Sequence, residues 1–491
     1  MTGITRRTFC EAIAVLALVQ HQAFAKEIKQ RPNILLLISD DWSWQNSRAI
    51  DCLGLKLPTF ERIKRDGINF TNAFAAAPTC TASRGAILTG RPIYQLEQGA
   101  NLASTFPVKF DVYTELLAKQ GYHVGFSGKG WAPGQIAPGG RTQNPAGKKF
   151  ADFDAFLAER NSDTPFCFWF GSRNPHRPFA KGEGKRQGIM PAAGAVPSYL
   201  PDAEPVREDI ADYMASTQDF DKQAEELLAK LEKENLLDNT LVVITGDNGW
   251  AFPRAKATLY DAGTHVPLAM MWKKGIRPQG NTDALVSLAD LAPTFMAAGA
   301  GNVPDSIGGR NLLPFMQGGK PPHRSIITAM ERHMDGGEKP LEGYPMRAIR
   351  TQEYLYIRNF KPDRWPAGRP NKKPVDFNTV ATKDYAGFAN IDAGPSKAWL
   401  VTNRNEPGVA PLFALATGKR ADKELYHVVS DPDQLKNLAD DPQYAAVLQE
   451  MDEALMKQLR EEHDPRVVGG GDNFDSYPFY CDPGFERPAD F

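Results

Sequence analysis

Four short apolar runs stand out along the chain: Asn33-Ile34-Leu35-Leu36-Leu37-Ile38, His123-Val124-Gly125-Phe126, Phe166-Cys167-Phe168-Trp169-Phe170 and Leu241-Val242-Val243-Ile244. Runs of this length without polar alternation predict strands buried on both faces, the habit of parallel sheets. Between them the apolar spacing lengthens to that of helices. One is predicted around Tyr113 to Leu117. Another runs from Glu208 to Leu237, with Ile210, Tyr213, Met214, Thr217, Phe220, Ala224, Leu227, Leu228 and Leu231 on one stripe. Strands alternating with helices predict an α/β fold, a doubly wound sheet with right-handed crossovers.

The pattern changes near residue 340. Met346 to Arg350 and Tyr354 to Ile357 predict a hairpin, and Pro442 to Glu462 an amphipathic helix with Val447, Leu448, Met451, Leu455, Met456 and Leu459 on its apolar face. The stretch from Lys361 to Pro411 is loop-rich. The expected organisation is a larger domain over 26–340 and a smaller α+β subdomain over 341–491. Residues 1–25 are set apart: Arg6-Arg7-Thr8-Phe9, a short apolar run and Ala23-Phe24-Ala25 make a twin-arginine-like export signal. No later segment is long and apolar enough to span a bilayer. The expectation is an exported protein, periplasmic or secreted, without a stable membrane anchor.

Charge and cysteine content narrow the chemistry. The 491 residues carry 57 Lys+Arg against 59 Asp+Glu, a net of -2, which argues against a nucleic-acid partner held by phosphate contacts. Five cysteines in so long a chain are too few for a disulfide scaffold. Three of the predicted strand ends carry polar groups, where ligands gather in open α/β sheets. They are Asp40-Asp41, Asp247-Asn248-Gly249 and Asn174-Pro175-His176. Adjacent carboxylates repel unless a cation lies between them, and an all-oxygen set selects Ca2+ or Mg2+. Asp40 also reads as a helix cap and Asp247-Asn248-Gly249 as a turn, but the two pairs together favour a metal. Cys167 lies in an apolar strand and reads as inert. Cys80, in Pro78-Thr79-Cys80-Thr81-Ala82-Ser83-Arg84, opens a predicted helix with a guanidinium four residues on. Both features favour an anion and a more acidic thiol, a nucleophile position beside an anion site.

Cys80-Thr81-Ala82-Ser83-Arg84 followed by Gly85-Ala86-Ile87-Leu88-Thr89-Gly90 resembles the signature of type I sulfatases of the alkaline phosphatase superfamily. Supporting matches cover most of the chain after the signal. They are Asn33 to Asp41, Gly128-Lys129, His176, Thr245 to Gly249, Lys256 and Gly308 to Pro314. Phe252-Pro253, Tyr344 to Arg347, Glu424-Leu425-Tyr426 and His463-Asp464-Pro465 resemble the sulfamidase (heparan N-sulfatase) branch. The resemblance implies an alkaline-phosphatase-like sandwich. It implies that Cys80 is oxidised to formylglycine (3-oxoalanine) by a maturation enzyme. It also implies one Ca2+, with Mg2+ the lesser alternative, on Asp40, Asp41, Cys80, Asp247 and Asn248. Arg84 would acidify the nucleophile, Lys129, His176 and Lys256 would neutralise the sulfate, and His176 or Lys256 would protonate the leaving group. The implied reaction removes an N-sulfate or O-sulfate from a sulfated sugar or glycosaminoglycan fragment.

Two positions depart from the family pattern. Ala82 replaces the usual proline, and Trp131 stands where a histidine two residues past the lysine is common. His265 reads equally as a replacement base or as a structural histidine. Trp131, Trp44, Arg177, Glu331, Arg332 and His333 are further candidates for sugar contacts. Two other readings stay open. One is a phosphatase or phosphodiesterase of the same superfamily, although no histidine for two zinc ions adjoins Asp40, Asp41 or Asp247. The other is an inactive carbohydrate-binding version of the fold.

Overall fold

The larger sheet has eight strands: β1 (Asn33–Ser39), β2 (Ile68–Phe74), β3 (His123–Gly128), β4 (Lys148–Lys149), β5 (Phe166–Gly171), β6 (Thr240–Gly246), β7 (His265–Met271) and β8 (Gly280–Ser287). Their spatial order is β4-β3-β5-β1-β6-β7-β2-β8. Pairing is parallel throughout except for β7, which runs antiparallel to β6 and β2. This is a computed structural model, and it describes residues 31–44, 55–371, 374–481 and 486–488. The expected export signal with Cys10, and Cys52, lie outside the described residues.

The apolar runs are continuous because both faces of this sheet are covered. Ile34, Leu36 and Ile38 of β1 join one core with Tyr113, Leu117, Leu291 and Phe295 from helices on one side. Leu35 and Leu37 point the other way, into a core with Phe60, Ile210, Met214 and Leu228. Each such side chain contributes about 1.5–3 kcal/mol on leaving water, so both helical layers are held firmly. The long helix spans Glu204–Lys233, not Glu208 to Leu237. Pro205 is tolerated in its first turn, where no intrahelical N–H is needed, and Leu237 opens a separate short turn. All nine residues of the expected stripe are buried.

A second, antiparallel sheet has the order β12-β11-β10-β9, with β9 (Ile326–Met330), β10 (Met346–Arg350), β11 (Tyr354–Asn359) and β12 (Lys423–His427). The expected hairpin is β10–β11. β9 lies upstream of residue 341, so the change in sequence character falls inside this sheet rather than at its border. The helix Ala445–Glu461 buries Met451, Leu455 and Leu459 against it.

Between the two sheets runs the helix Cys80–Thr89, all ten residues of which are buried. Its Ala82 and Ala86 pack with Ile349, Tyr356 and Leu455 from the small sheet and its helix. A Cβ on Gly85 would stand 3.1 Å from Phe106 and 3.2 Å from Leu96. Small residues are what a helix crowded on every side requires. No helix among the described residues is long and apolar enough to cross a membrane.

Candidate active site

β1 and β6 are parallel neighbours in the register Ser39↔Gly246, so Asp40-Asp41 and Asp247-Asn248 leave the sheet side by side. Asp41 takes a left-handed backbone (φ 70°), uncommon for a non-glycine residue, and its N–H donates to Asp247 Oδ1 at 3.0 Å. The N-terminus of the Cys80–Thr89 helix brings Cys80 Sγ to 3.3 Å from Asp40 Oδ1 and 3.9 Å from Asp41 Oδ1. One ligand atom from each of Asp40, Asp41, Cys80 and Asp247 lies within 4.8 Å of the others. Asn248 Nδ2 donates to Asp41 Oδ1 at 2.8 Å, while its buried Oδ1 has no hydrogen-bond partner.

Cations ring this acidic floor. Lys129 Nζ reaches Asp40 Oδ2 at 2.6 Å, Lys256 Nζ reaches Asp41 Oδ2 at 2.8 Å, and Arg84 Nε reaches Asp247 Oδ2 at 2.7 Å. His176 Nε2 stands 3.9 Å from Asp41 Oδ2. Burial alone would raise Asp40; Lys129, then His176 and Arg84, carry it far below the usual carboxylate range. Asp247 is pushed up to about 6 by burial and by the Asp40 and Asp41 carboxylates, against the pull of Arg84. Burial opposes the charges on Lys129 and Lys256, and their carboxylate partners outweigh it, so both ammonium groups are strengthened. Cys80 departs from the expected acidic thiol. Burial and then the Asp40 carboxylate push it well above its ordinary value, so the unmodified thiol is a poor nucleophile.

Above the floor opens a cavity of about 520 Å3, within the range of small-ligand sites. Asp40, Cys80, Lys129, His176 and Lys256 line its floor, and His333, Met334, Asp384, Asp392 and Phe479 also line it, with Asp392 reaching the floor, within 4.8 Å of Asp41 and His176. Thus the expected catalytic residues Cys80, Arg84, Lys129, His176 and Lys256 converge with Asp40, Asp41, Asp247 and Asn248. Of the expected sugar contacts, His333 lies in the wall: its Nδ1 is 3.0 Å from Thr79 Oγ1 and its Nε2 3.7 Å from Asp392 Oδ1.

The other expected sugar contacts are engaged elsewhere. Trp131 is 1% exposed and packs on Phe106 in the core, because the strand end at Gly128 turns it inward. His265 lies between the rings of Trp44 and Phe74, its Nε2 donating to the Thr71 carbonyl at 2.8 Å. It is a structural histidine. Burial lowers it to about 4. Trp44 is its stacking partner. Arg177 touches the cavity, but its guanidinium is held by Asp209 at 2.8 and 2.7 Å and stacks on Phe179 and Phe252. Glu331 is an acceptor for Arg347 and Arg466, and Arg332 donates to the carbonyls of Tyr477 and Pro478. Glu331 braces the small sheet through Arg347, and Arg332 ties down the segment at Tyr477 and Pro478.

Sequence reasoning missed Asp384 and Asp392. They lie in the loop-rich stretch after Lys361, where no periodicity marks them. Asp392 Oδ2 is 3.0 Å from Lys256 Nζ, so the lysine is the cation between Asp392 and Asp41. Buried Lys397 fixes this loop by donating to the carbonyls of Asp384 (2.9 Å) and Ile391 (2.7 Å).

A mostly parallel sheet with an acidic floor at its carboxyl edge, ringed by cations and faced by a buried cysteine at a helix N-terminus, has the charge and shape to hold an anion beside residue 80. The sulfatase family profile matches residues 32–135 and 147–301, and the profile of the N-sulphoglucosamine sulphohydrolase C-terminal region matches 246–390. The chain belongs to the sulfatase family and is a hydrolase of that class. It is 28% identical to an ulvan-active sulfatase of Formosa agariphila over 455 residues, covering 89% of this chain and 82% of that one. It is 26% identical to the human N-sulphoglucosamine sulphohydrolase over 490 residues, covering 89% and 92%. A solved protein in complex with its substrate D-glucosamine-2-N,6-O-disulfate shares the fold, with a TM-score of 0.64, 19% identity and coverage of 89% and 100%. The phosphonate monoester hydrolase of Silicibacter pomeroyi shares it too, at a TM-score of 0.60, 16% identity and coverage of 89% and 97%. The fold alone therefore does not choose the reaction.

Proposed function

We propose that this sulfatase removes O-linked or N-linked sulfate from a carbohydrate, a terminal sugar entering the cavity with its sulfate toward Cys80. The observation that carries this is the joining of a cation-ringed floor to a cavity of about 520 Å3 lined by both charged and apolar side chains. Relatives that act on ulvan or on N-sulphoglucosamine support a sulfated sugar over an aryl sulfate.

The floor fits a hard cation: three carboxylates meet there, and Asn248 Oδ1 is buried with no donor. Asp40, Asp41, Asp247, Asn248 and residue 80 would hold one Ca2+, which supplies positive charge that acidifies an oxygen nucleophile and stabilises charge on the sulfuryl group. Formylglycine at residue 80, made by a maturation enzyme that accepts Ala82, would supply that oxygen where the thiol is too weak. Lys129, Lys256 and His176 bind and orient the sulfate, and in a closed cavity their charges count for more than in water. Arg84 fixes Asp247, and its Nη1 also donates to the carbonyls of Lys129 and Gly130. Residues 1–25 would export the protein, so that sugar and enzyme meet outside the cytoplasm.

Sulfate release should be measured across N-sulfated and O-sulfated sugars, with mass spectrometry of the peptide containing residue 80. We expect release from at least one sugar sulfate, an aldehyde in place of the thiol, and loss of turnover in Cys80→Ser. An intact cysteine in a fully active enzyme, or wild-type turnover by Cys80→Ser, refutes this reading.

A further inference from the structure

Cleaving a sulfate ester or sulfamate moves two protons. One leaves the attacking oxygen, and one must reach the departing atom, because the free anion of a sugar hydroxyl or amine is a very poor leaving group. Two imidazoles line the cavity, His176 and His333. His176 is engaged on the floor, its Nδ1 donating to the Arg177 carbonyl at 2.6 Å and its Nε2 standing 3.9 Å from Asp41 Oδ2. His333 lies between the Thr79 hydroxyl, 3.0 Å from Nδ1, and the Asp392 carboxylate, 3.7 Å from Nε2.

A proton on each ring nitrogen of His333 would satisfy both neighbours at once. Nδ1–H donates to Thr79, the residue directly before Cys80, and Nε2–H turns toward Asp392. A separation of 3.7 Å is too long for a direct hydrogen bond, so that proton is oriented without being consumed. Burial would raise Asp392, but Lys256 and then His333 hold it well below the usual range, so it stays a carboxylate. Asp392 is the carboxylate facing the ring, and behind it stand Lys256 at 3.0 Å and, within 4.8 Å, His176 and Asp41; Arg332 is turned away to the Tyr477 and Pro478 carbonyls.

We propose that His333 is the general acid that protonates the leaving sugar, with Asp392 as the residue that positions it. As the bond from sulfur to the sugar oxygen or nitrogen breaks, its electron pair passes to the departing atom, which takes the Nε2 proton. Sulfur gains a bond to the attacking oxygen, whose own proton is released to solvent. His333 is left neutral with Nδ1–H on Thr79 and regains its proton from solvent. No oxidant or reductant enters. The assignment rests on the sulfated-sugar reading above but not on the identity of the nucleophile, since every nucleophile leaves the same proton to be delivered.

The test is the dependence of rate on leaving-group acidity. Wild type, His333→Ala, His333→Gln and Asp392→Asn are compared on a sugar sulfate and on phenyl sulfates of graded acidity, with thermal denaturation as the folding control. For His333→Ala we expect a loss of about 100-fold or more on the sugar sulfate, the usual size of a general-acid contribution. That loss should shrink steadily as the phenol becomes more acidic, with added imidazole restoring part of the rate. Asp392→Asn should show the same trend at smaller amplitude. If His333→Ala does not fold, His333→Gln, which keeps a partner for Thr79, is read in the same series. Equal losses along the series overturn the assignment and leave His333 structural. Failure of the wild type on every sugar sulfate, with phenyl sulfates still cleaved, refutes the substrate reading instead.

Discussion

At the scale of single residues, chemistry follows from what surrounds each side chain more than from its type. Two histidines were singled out in the sequence, His265 as a replacement base or structural histidine and His333 as a sugar contact, and their surroundings separate them. His265 is enclosed by two aromatic rings and a backbone carbonyl, whereas His333 borders the cavity between a hydroxyl and a carboxylate. The burial of His265 has a measurable consequence. Its pKa falls from an ordinary value of about 6.5 to about 4, so the folded state prefers the neutral ring. Its contribution to stability is complete above pH ~6.5 and is lost as pH falls toward 4, at most about 3 kcal/mol. Urea denaturation at pH 7 and pH 5 should show wild type losing more stability than His265→Gln. Equal losses in the two proteins would remove His265 from the acid response. The carboxylates of the floor, Asp40, Asp41 and Asp247, were legible at this scale because adjacent like charges need a reason. Asp392 was not, since a lone aspartate in a loop carries no pattern and gains meaning only when Lys256 is seen beside it.

At the scale of elements, the sequence predicted most reliably where one period dominates. The four buried strands, the long helix and the β10–β11 hairpin were all read from spacing. Strands β2, β4, β7, β8, β9 and β12 were missed: Pro267 interrupts the apolar run of β7, and the others are short or broken by polar residues, so none shows an uninterrupted apolar run. The loop after Lys361 needed contacts across the fold, and its anchoring is specific. Asp209 receives the Arg177 guanidinium and also the backbone N–H and hydroxyl of Ser396. A Cβ on Gly394 would stand 2.3 Å from Arg177 Nη1. That guanidinium is pinned by Asp209 and two aromatic faces, so it has no room to yield. Gly394→Ala should therefore cost ~1–3 kcal/mol as an overpacking substitution. It should also raise KM for the sugar substrate, because the displaced loop carries Asp384 and Asp392. Chemical denaturation and steady-state kinetics check the two effects, and a variant with wild-type stability contradicts the clamp.

For the whole molecule, the two sheets meet on the Cys80–Thr89 helix, and the site depends on that meeting. Three carboxylates converging at the junction are a local source of repulsion that a bound cation relieves. Added Ca2+ should raise the melting temperature by several degrees, at ~2.7 kcal/mol for a ligand at a hundred times its Kd. A chelator should reverse the gain, and Asp247→Asn should blunt it. A melting temperature indifferent to Ca2+, Mg2+ and chelator would argue against a metal on this floor. The overall class of the fold was readable because parallel strands and covering helices leave a strong apolar record. The placement of the small sheet against the helix left none, since the contacts join residues far apart in the chain.

The cavity is lined from both halves of the chain: Asp40, Cys80, Lys129, His176 and Lys256 come from the first, and His333, Met334, Asp384, Asp392 and Phe479 from the second. On the function proposed above, the first set would hold the sulfate, while the second would meet the sugar and, through His333 and Asp392, take part in the reaction. A change of sugar preference that keeps the chemistry would then have to fall on lining residues such as Met334 and Phe479 rather than on that pair.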